Sequence, residues 1–326
     1  MARPVVIDTD GGVDDAVALW WALSDPALDV VAITVVWGNV DLHLATESVL
    51  RVVHAVGRDD VPVAVGMPGP LPPAPDLRPA TFIHGEDGLG NAAGEVAPVR
   101  PVDEPATELI ARLVGERPGE LALVTLGPLT NIAVVVAEHP GFAGEVRELV
   151  VMGGSARRGG NALPCGEANV AHDPIAAQRV VMAPWARPPL LVGLDVTLVA
   201  TLRPVEFALL AEHRSAAATF LDAPLRFYKE FGSTFTSPDT PCHDLLAVLA
   251  LSSPEVILDA PALPLSVDCG GGAAWGTTVV DFRAPFFAAL EGSTQSAAAG
   301  FAHWRIALGV DVEMFRNKAR TLFGAP

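Results

Sequence analysis

Apolar runs alternate with amphipathic stretches through the first two-thirds of this chain, and that alternation sets the expected order of elements. Pro4-Val5-Val6-Ile7 reads as a buried first strand, and Ala16-Val17-Ala18-Leu19-Trp20-Trp21-Ala22-Leu23 as a mostly buried helix. A second strand is expected from Leu28 to Val36, a helix from Leu42 to Val56 and a short third strand from Val61 to Val65. The proline-dense stretch from Pro68 to Pro79 cannot pair in a sheet and must be a loop or excursion. A glycine-rich polar loop follows from Phe82 to Asn91, then a helix from Thr107 to Glu116.

The same rhythm continues with a strand from Leu121 to Leu126 and a helix from Ile132 to Glu138. Leu149 to Met152 and Pro189 to Val192 read as strands on either side of a helix from Pro174 to Val181. From Thr201 to Leu251 the pattern turns helical, broken at Ser237-Pro238-Asp239-Thr240-Pro241 and resuming at Leu245. Leu263 to Asp268, Gly276 to Phe282 and His303 to Val310 read as edge strands, and Asp311 to Leu322 as a closing helix. The β-α alternation predicts an α/β fold: a doubly wound, mostly parallel, Rossmann-like open sheet with extra C-terminal strands and helices. No repeat or flexible linker is visible, so one domain over 1–326 is expected. Ligands of such sheets bind beyond the carboxyl ends of the strands, and the polar clusters Asp8 to Asp15, Asn39, Gly127 to Asn131 and Gly153 onward all fall there.

Composition narrows the function. Half of the 326 residues are hydrophobic, enough for a large core, but no apolar run spans a membrane without proline or charge. A net charge of −17 with only two lysines, Lys229 and Lys318, argues against a nucleic-acid surface. Cys165, Cys242 and Cys269 are odd in number and far apart, which disfavours a disulfide framework or a zinc site. No signal-peptide pattern precedes the first strand, so a cytoplasmic location is expected.

The densest chemistry is Asp8-Thr9-Asp10-Gly11-Gly12-Val13-Asp14-Asp15, four carboxylates at a strand-to-helix corner. The helix macrodipole favours each acid by only about 0.3–1 kcal/mol, too little to hold four repelling charges together. A bound hard cation relieves that repulsion, and oxygen ligands of this kind suit calcium or magnesium.

D-T-D-G-G-V-D-D-A resembles the first signature of the inosine–uridine-preferring nucleoside hydrolases. V-V-W-G-N, I-H-G-E-D-G-L-G, G-P-L-T-N-I-A, G-N-A-L-P-C-G-E-A-N-V-A-H-D-P and C-H-D follow in the family's order and span the chain. The resemblance implies a calcium-dependent enzyme that cleaves the N-glycosidic bond of a ribonucleoside to free base and ribose. By position, Asp10, Asp15, Asp244 and the backbone carbonyl of Leu126 would hold the ion. Asp14, Asn161, Glu167 and Asn169 would grip the ribose hydroxyls, with Asn39 a polar group of the same site. It also implies a homo-oligomer, a dimer or tetramer.

The chemistry is coherent in itself. Glycosidic cleavage passes through an oxocarbenium-like state and needs an activated water. Calcium lowers the pKa of a bound water far less than zinc, so Asp10 is expected to act as general base. The departing base needs a proton or hydrogen bond, and His243, beside Asp244, is the candidate acid. His84 is a candidate for the base pocket or a loop hydrogen bond. His43, His54, His139, His213 and His303 read as surface or packing residues, His172 stays undecided, and Asp173 reads as a helix cap.

Two departures from the family pattern stand out: Gly11 where proline is common, which would loosen the turn, and Trp37 before Gly38-Asn39, either a wall of the base pocket or core. Phe227, Tyr228, Phe231 and Phe235 mark the helical region expected to cover the base, though an aromatic stripe at helical spacing is usually core rather than a stacking surface. Three other readings compete. Asp8-Thr9-Asp10-Gly11 also looks like the start of a haloacid-dehalogenase-type phosphohydrolase, with Asp8 as nucleophile. A non-catalytic nucleoside-binding protein, and a hydrolase of another N-riboside, would use the same residues.

Overall fold

The chain is described from a computed structural model covering residues 2–72, 77–235, 239–283 and 300–324, with the side chains of 231–235 set apart. Pro73–Asp76, Ser237, Pro238 and the side chains of Phe231 and Phe235, all named above, lie outside the described residues.

In chain order the elements run β1 (Arg3–Thr9), α1 (Val13–Ser24), β2 (Leu28–Val35), α2 (Leu42–Val56), β3 (Val63–Val65), α3 (Thr81–His84) and α4 (Ala106–Glu116). Next come β4 (Ala122–Thr125), α5 (Thr130–Glu138), α6 (Phe142–Glu145), β5 (Glu148–Met152), α7 (Ala168–His172), α8 (Pro174–Val181) and β6 (Leu190–Val192). Then follow α9 (Leu194–Thr197), β7 (Thr201–Leu202), α10 (Pro204–Glu212), α11 (Ala216–Phe235), β8 (Thr240–Pro241) and α12 (His243–Ser252). The C-terminal part holds β9 (Ile257–Asp259), β10 (Ala262–Val267), β11 (Thr278–Val280), β12 (Ala302–Ile306), β13 (Gly309–Val310) and a terminal helix, Val312–Gly324.

Among the described residues the main sheet has nine strands, in the order β11-β10-β12-β6-β5-β4-β1-β2-β3. Every pairing from β12 to β3 is parallel, whereas β10 pairs antiparallel with both β11 and β12. The expected doubly wound α/β architecture is present. Successive side chains of a strand face opposite layers, and β1 shows it: Val5 and Ile7 join the core under α1, α2 and α12, while Val6 joins the one under α4, α5 and α8. From β1 the chain winds outward through β2 to β3 and then returns to β4 on the other side of β1. The switch point therefore lies between the carboxyl ends of β1 and β4.

Three readings need correction. Leu263 to Asp268 is not an edge strand, because β10 pairs with β11 on one side and β12 on the other. His303 to Val310 is not one edge strand. It splits into β12 and β13, and β12 is interior, paired with β10 on one side and β6 on the other. Its burial alternates like that of an edge, with His303 and Arg305 exposed and Trp304 and Ile306 buried. Side-chain patterning reports which face is wet, not how many neighbours the backbone has. The Phe82 to Asn91 stretch is not wholly loop either, because α3 makes one helical turn that buries His84.

Candidate active site

All four acids of the first motif are buried, with Asp8 and Asp10 at 1% exposure, Asp14 at 4% and Asp15 at 0%. β1 carries Asp8 and Asp10 to its carboxyl end, and α1 starts within one turn of them and places Asp14 and Asp15 in its first turn. Gly11 makes the corner possible. Its φ is +71°, and a Cβ there would lie 2.7 Å from the Ala45 carbonyl oxygen of α2. Ser48 of α2 donates to the Gly11 carbonyl at 2.7 Å. The glycine thus seats the turn tightly on α2 rather than loosening it, contrary to the expectation from sequence.

The carboxylates are oriented by short local bonds. Asp15 accepts from the Thr9 hydroxyl, from the Gly12 amide at 2.9 Å and from Asn39 Nδ2 at 3.2 Å. Asp10 accepts from the Asn39 amide and from Asn39 Nδ2, both at 2.9 Å. Asn39, just beyond β2, therefore bridges two acids. α12 adds Asp244 from the far end of the sequence, and oxygens of Asp14, Asp15 and Asp244 lie within 4.8 Å of one another.

Burial is the main force on these acids, followed by their mutual repulsion. Both push Asp10 and Asp244 well above the usual carboxylate range and Asp14 up to about 7. Among the described residues, no lysine or arginine pairs with the cluster. Lys229 sits over the Phe207 ring and Lys318 over Trp21. Charges buried this deeply are tolerated when paired or bound to metal. The donor set is all oxygen, so the residues fit a hard divalent cation. The Leu126 carbonyl, just past β4, accepts from Asn169 Nδ2 at 2.7 Å. A carbonyl has two lone pairs, so one stays available there.

Around the acids stand the other residues singled out from sequence. His84 Nδ1 accepts from the Val13 amide at 3.1 Å and lies 3.9 Å from Asp14, and its ring packs on Tyr228 at 5.6 Å. The Tyr228 hydroxyl bonds to Asp14, as does the His243 backbone amide. Burial, with a smaller contribution from His243, depresses His84 to about 3, and burial alone depresses His243 to about 4. His243 Nδ1 lies 2.8 Å from the Thr197 hydroxyl.

Glu167 caps α7. One oxygen accepts from the Asn169 amide, the other from Gly154 and Val170. Asn169 donates to Leu126 and also to the Met152 carbonyl at 3.2 Å. Asn161 is exposed, its Oδ1 accepting from the Ala168 amide at 2.9 Å. Asp173 caps α8 as expected, accepting from Ala176, and also binds Thr130 and Leu71. Trp37 is taken up by Thr130 and the His172 ring. Thr9 and Thr197 were not anticipated. Thr197 follows the carboxyl end of β6, so the strand-end rule that found Asn39 contained a signal for it.

Asp8 is turned away from this group. Its Oδ1 accepts from Thr34 at 2.6 Å and Asn131 at 2.8 Å, and its Oδ2 is buried without a partner among the described residues. Burial raises it to about 7. Bonded to Thr34 and Asn131 and turned from Asp10, this carboxyl is not arranged as the phosphohydrolase reading requires of its nucleophile.

A family model described as inosine-uridine preferring nucleoside hydrolase matches residues 5–317. The chain is 34% identical over 255 residues to "Probable uridine nucleosidase 2" of Arabidopsis thaliana, covering 78% of this chain and 79% of that one. It is 35% identical over 319 residues to the non-specific ribonucleoside hydrolase RihC of Klebsiella pneumoniae, covering 98% and 97%. A solved plant nucleoside hydrolase, the PpNRh1 enzyme, superposes with a TM-score of 0.91 at 30% identity over 100% of both chains.

Proposed function

Because the chain belongs to the inosine-uridine preferring nucleoside hydrolase family, and so is an enzyme that hydrolyses ribonucleosides, we propose that it does so at the acid cluster, as a calcium-dependent ribohydrolase within one domain. The observation that carries this reading is the convergence of buried Asp14, Asp15 and Asp244 beside Asp10 at the sheet's switch point, with no basic residue compensating them among the described residues.

Asp10, Asp15, Asp244 and the Leu126 carbonyl hold the ion. When bound, calcium offsets the carboxylate charge and makes a coordinated water more acidic. Asp10, kept in place by Asn39, takes the proton from the attacking water. Asp14, Asn39, Asn161, Glu167 and Asn169 bind the sugar. Glu167 uses three of about four acceptor positions on backbone amides, leaving one for a ribose hydroxyl. A site built to bond both hydroxyls rejects analogues that lack one, because its own buried groups go unpaired. The acids also stabilise the positive charge that develops on the ribose ring.

His84 and Tyr228 flank the base. His243 serves the departing base as an N–H donor, since a pKa of about 4 leaves the resting ring neutral near pH 7. Three free cysteines suit a reducing cytoplasm, and the apolar composition suits a homo-oligomer, dimer or tetramer. No helix of the described residues is long and apolar enough to cross a membrane. The test is a panel of purine and pyrimidine ribonucleosides and their 2′-deoxy counterparts, assayed for free sugar. Turnover of ribosides with a preference of at least about a thousandfold over deoxyribosides is expected. Equal rates on the two series would refute the ribose grip, and tight binding without turnover would leave a nucleoside-binding protein.

A further inference from the structure

Thr197 is wholly buried at the end of α9, and its hydroxyl lies 2.8 Å from His243 Nδ1. α9 begins at Leu194, immediately beyond β6, and reaches His243 from the side away from β1. On the other side, the His243 backbone amide donates to Asp14, whose carboxylate lies 3.9 Å from His84 Nδ1. His243 is therefore held between α9 and the acid corner. One ring nitrogen is committed to Thr197 and the other is left for chemistry.

A neutral imidazole carries one proton, and the bond made by one nitrogen decides which nitrogen bears it. A ring with its proton on Nδ1 would offer a departing base only a lone pair. We propose that Thr197 is a positioning residue for glycosidic cleavage: its hydroxyl donates to His243 Nδ1, which places the ring proton on Nε2 and aims it at the leaving base. This rests on His243 being the leaving-group donor. A threonine suits the task, because its hydroxyl can donate where a backbone carbonyl at the same place would accept and select the opposite tautomer.

The test compares natural nucleosides with p-nitrophenyl riboside, whose leaving group needs no proton. Thr197→Val keeps the shape and removes the hydroxyl. It should lower kcat/KM on inosine and uridine at least about tenfold, a part of the 10²–10⁴-fold that general acid catalysis supplies. The p-nitrophenyl substrate should lose less than about threefold, and Thr197→Ser should restore most of the natural activity. Equal loss on both substrate types in Thr197→Val, or no loss on either, overturns the role of Thr197. His243→Ala separates the two readings: if it also slows both substrates equally, the donor role of His243 fails, whereas a selective His243→Ala beside an indifferent Thr197→Val refutes Thr197 alone. Should Thr197→Val not fold, wild-type protein with ¹⁵N-labelled histidine decides. Long-range ¹H–¹⁵N spectra should show the His243 proton on Nε2, and a proton on Nδ1 overturns the proposal.

Discussion

Gly38 stands so close to Asp10 that a Cβ on it would lie 2.1 Å from the carboxylate Oδ2. The carboxylate is wedged between that backbone and Gly127, whose own Cβ would come within 2.8 Å of Asp10 Cβ. Gly38→Ala must therefore displace Asp10 while leaving every acid in the sequence. Misplacement by about 1 Å is enough to cost a hundredfold in rate. Loss of at least about that factor in kcat/KM is expected, in a protein that keeps its far-ultraviolet dichroism. Activity near wild type would show that Asp10 does not need its position. For comparison, Asp10→Asn and Asp244→Ala should nearly abolish turnover without unfolding the chain.

Removal of the cation should stop the reaction and soften the fold in a pH-dependent way. Asp14 has a pKa of about 7 in the folded chain against an ordinary 3.8. Between those values, the folded chain without a cation binds more protons than the unfolded chain. Its stability is highest below about 4 from this group and is lost as pH rises through 7. A bound divalent ion holds the carboxylates ionised and cancels that dependence. The difference in Tm between calcium-loaded and EGTA-treated protein should consequently widen from pH 5.5 to pH 8. A difference that stays constant, or full activity in EGTA, would dispose of the metal seat.

The buried histidines act in the opposite sense. His84 is depressed to about 3 from an ordinary 6.5, so the unfolded chain binds the extra proton as pH drops below 6.5. Its contribution to stability is present above that value and is lost toward 3. Each such group changes stability by up to about 1.4 kcal/mol per pH unit. Urea titrations in saturating calcium at pH 6.5 and 5.5 should show His84→Gln less acid-sensitive than wild type by up to about that slope. Asp8, raised to about 7, has the reverse sign but cancels in the comparison. Parallel slopes for the two proteins would place a charged His84 in the native state.

Gly11 offers a check on the corner itself. Proline is common at this place in the family pattern, yet its ring fixes φ near −65°, and the backbone here sits at +71°. Gly11→Pro should destabilise the chain by more than the roughly 1–3 kcal/mol that a strained residue costs, since the Ala45 carbonyl also blocks the added atoms. Gly11→Ala should do so to a smaller degree. A Tm unchanged in Gly11→Pro would mean the turn adopts the other geometry freely.

Much of this arrangement was legible in the residues. β1, α2, α4 and α8 are written in local periodicity, and the expected helix from Leu42 to Val56 matches the observed one end to end. The acid corner was visible because four carboxylates in eight positions are more than a solvated acidic turn with one helix cap calls for. What stayed hidden is long-range choice of partner. Nothing local in A-H-W-R-I tells β12 to insert between β10 and β6. Asp8 reads as one more acid of the motif, yet strand alternation turns it toward Thr34 and Asn131. Likewise, the bonds from Tyr228 to Asp14 and from Thr197 to His243 join residues more than forty positions apart, and only the folded sheet brings them together.

The division of labour between the corner and the two helices beside it has a further consequence. The acids are carried by β1, α1 and α12, whereas His84 and Tyr228 come from α3 and α11, which pack on each other, with α11 also on α1 and α2. So long as His84 and Tyr228 keep their bonds to Val13 and Asp14, sequence drift elsewhere in those two helices can reshape their surroundings while the acid corner keeps its architecture. Descendants of one ancestor can thus diverge in diet without reinventing the reaction.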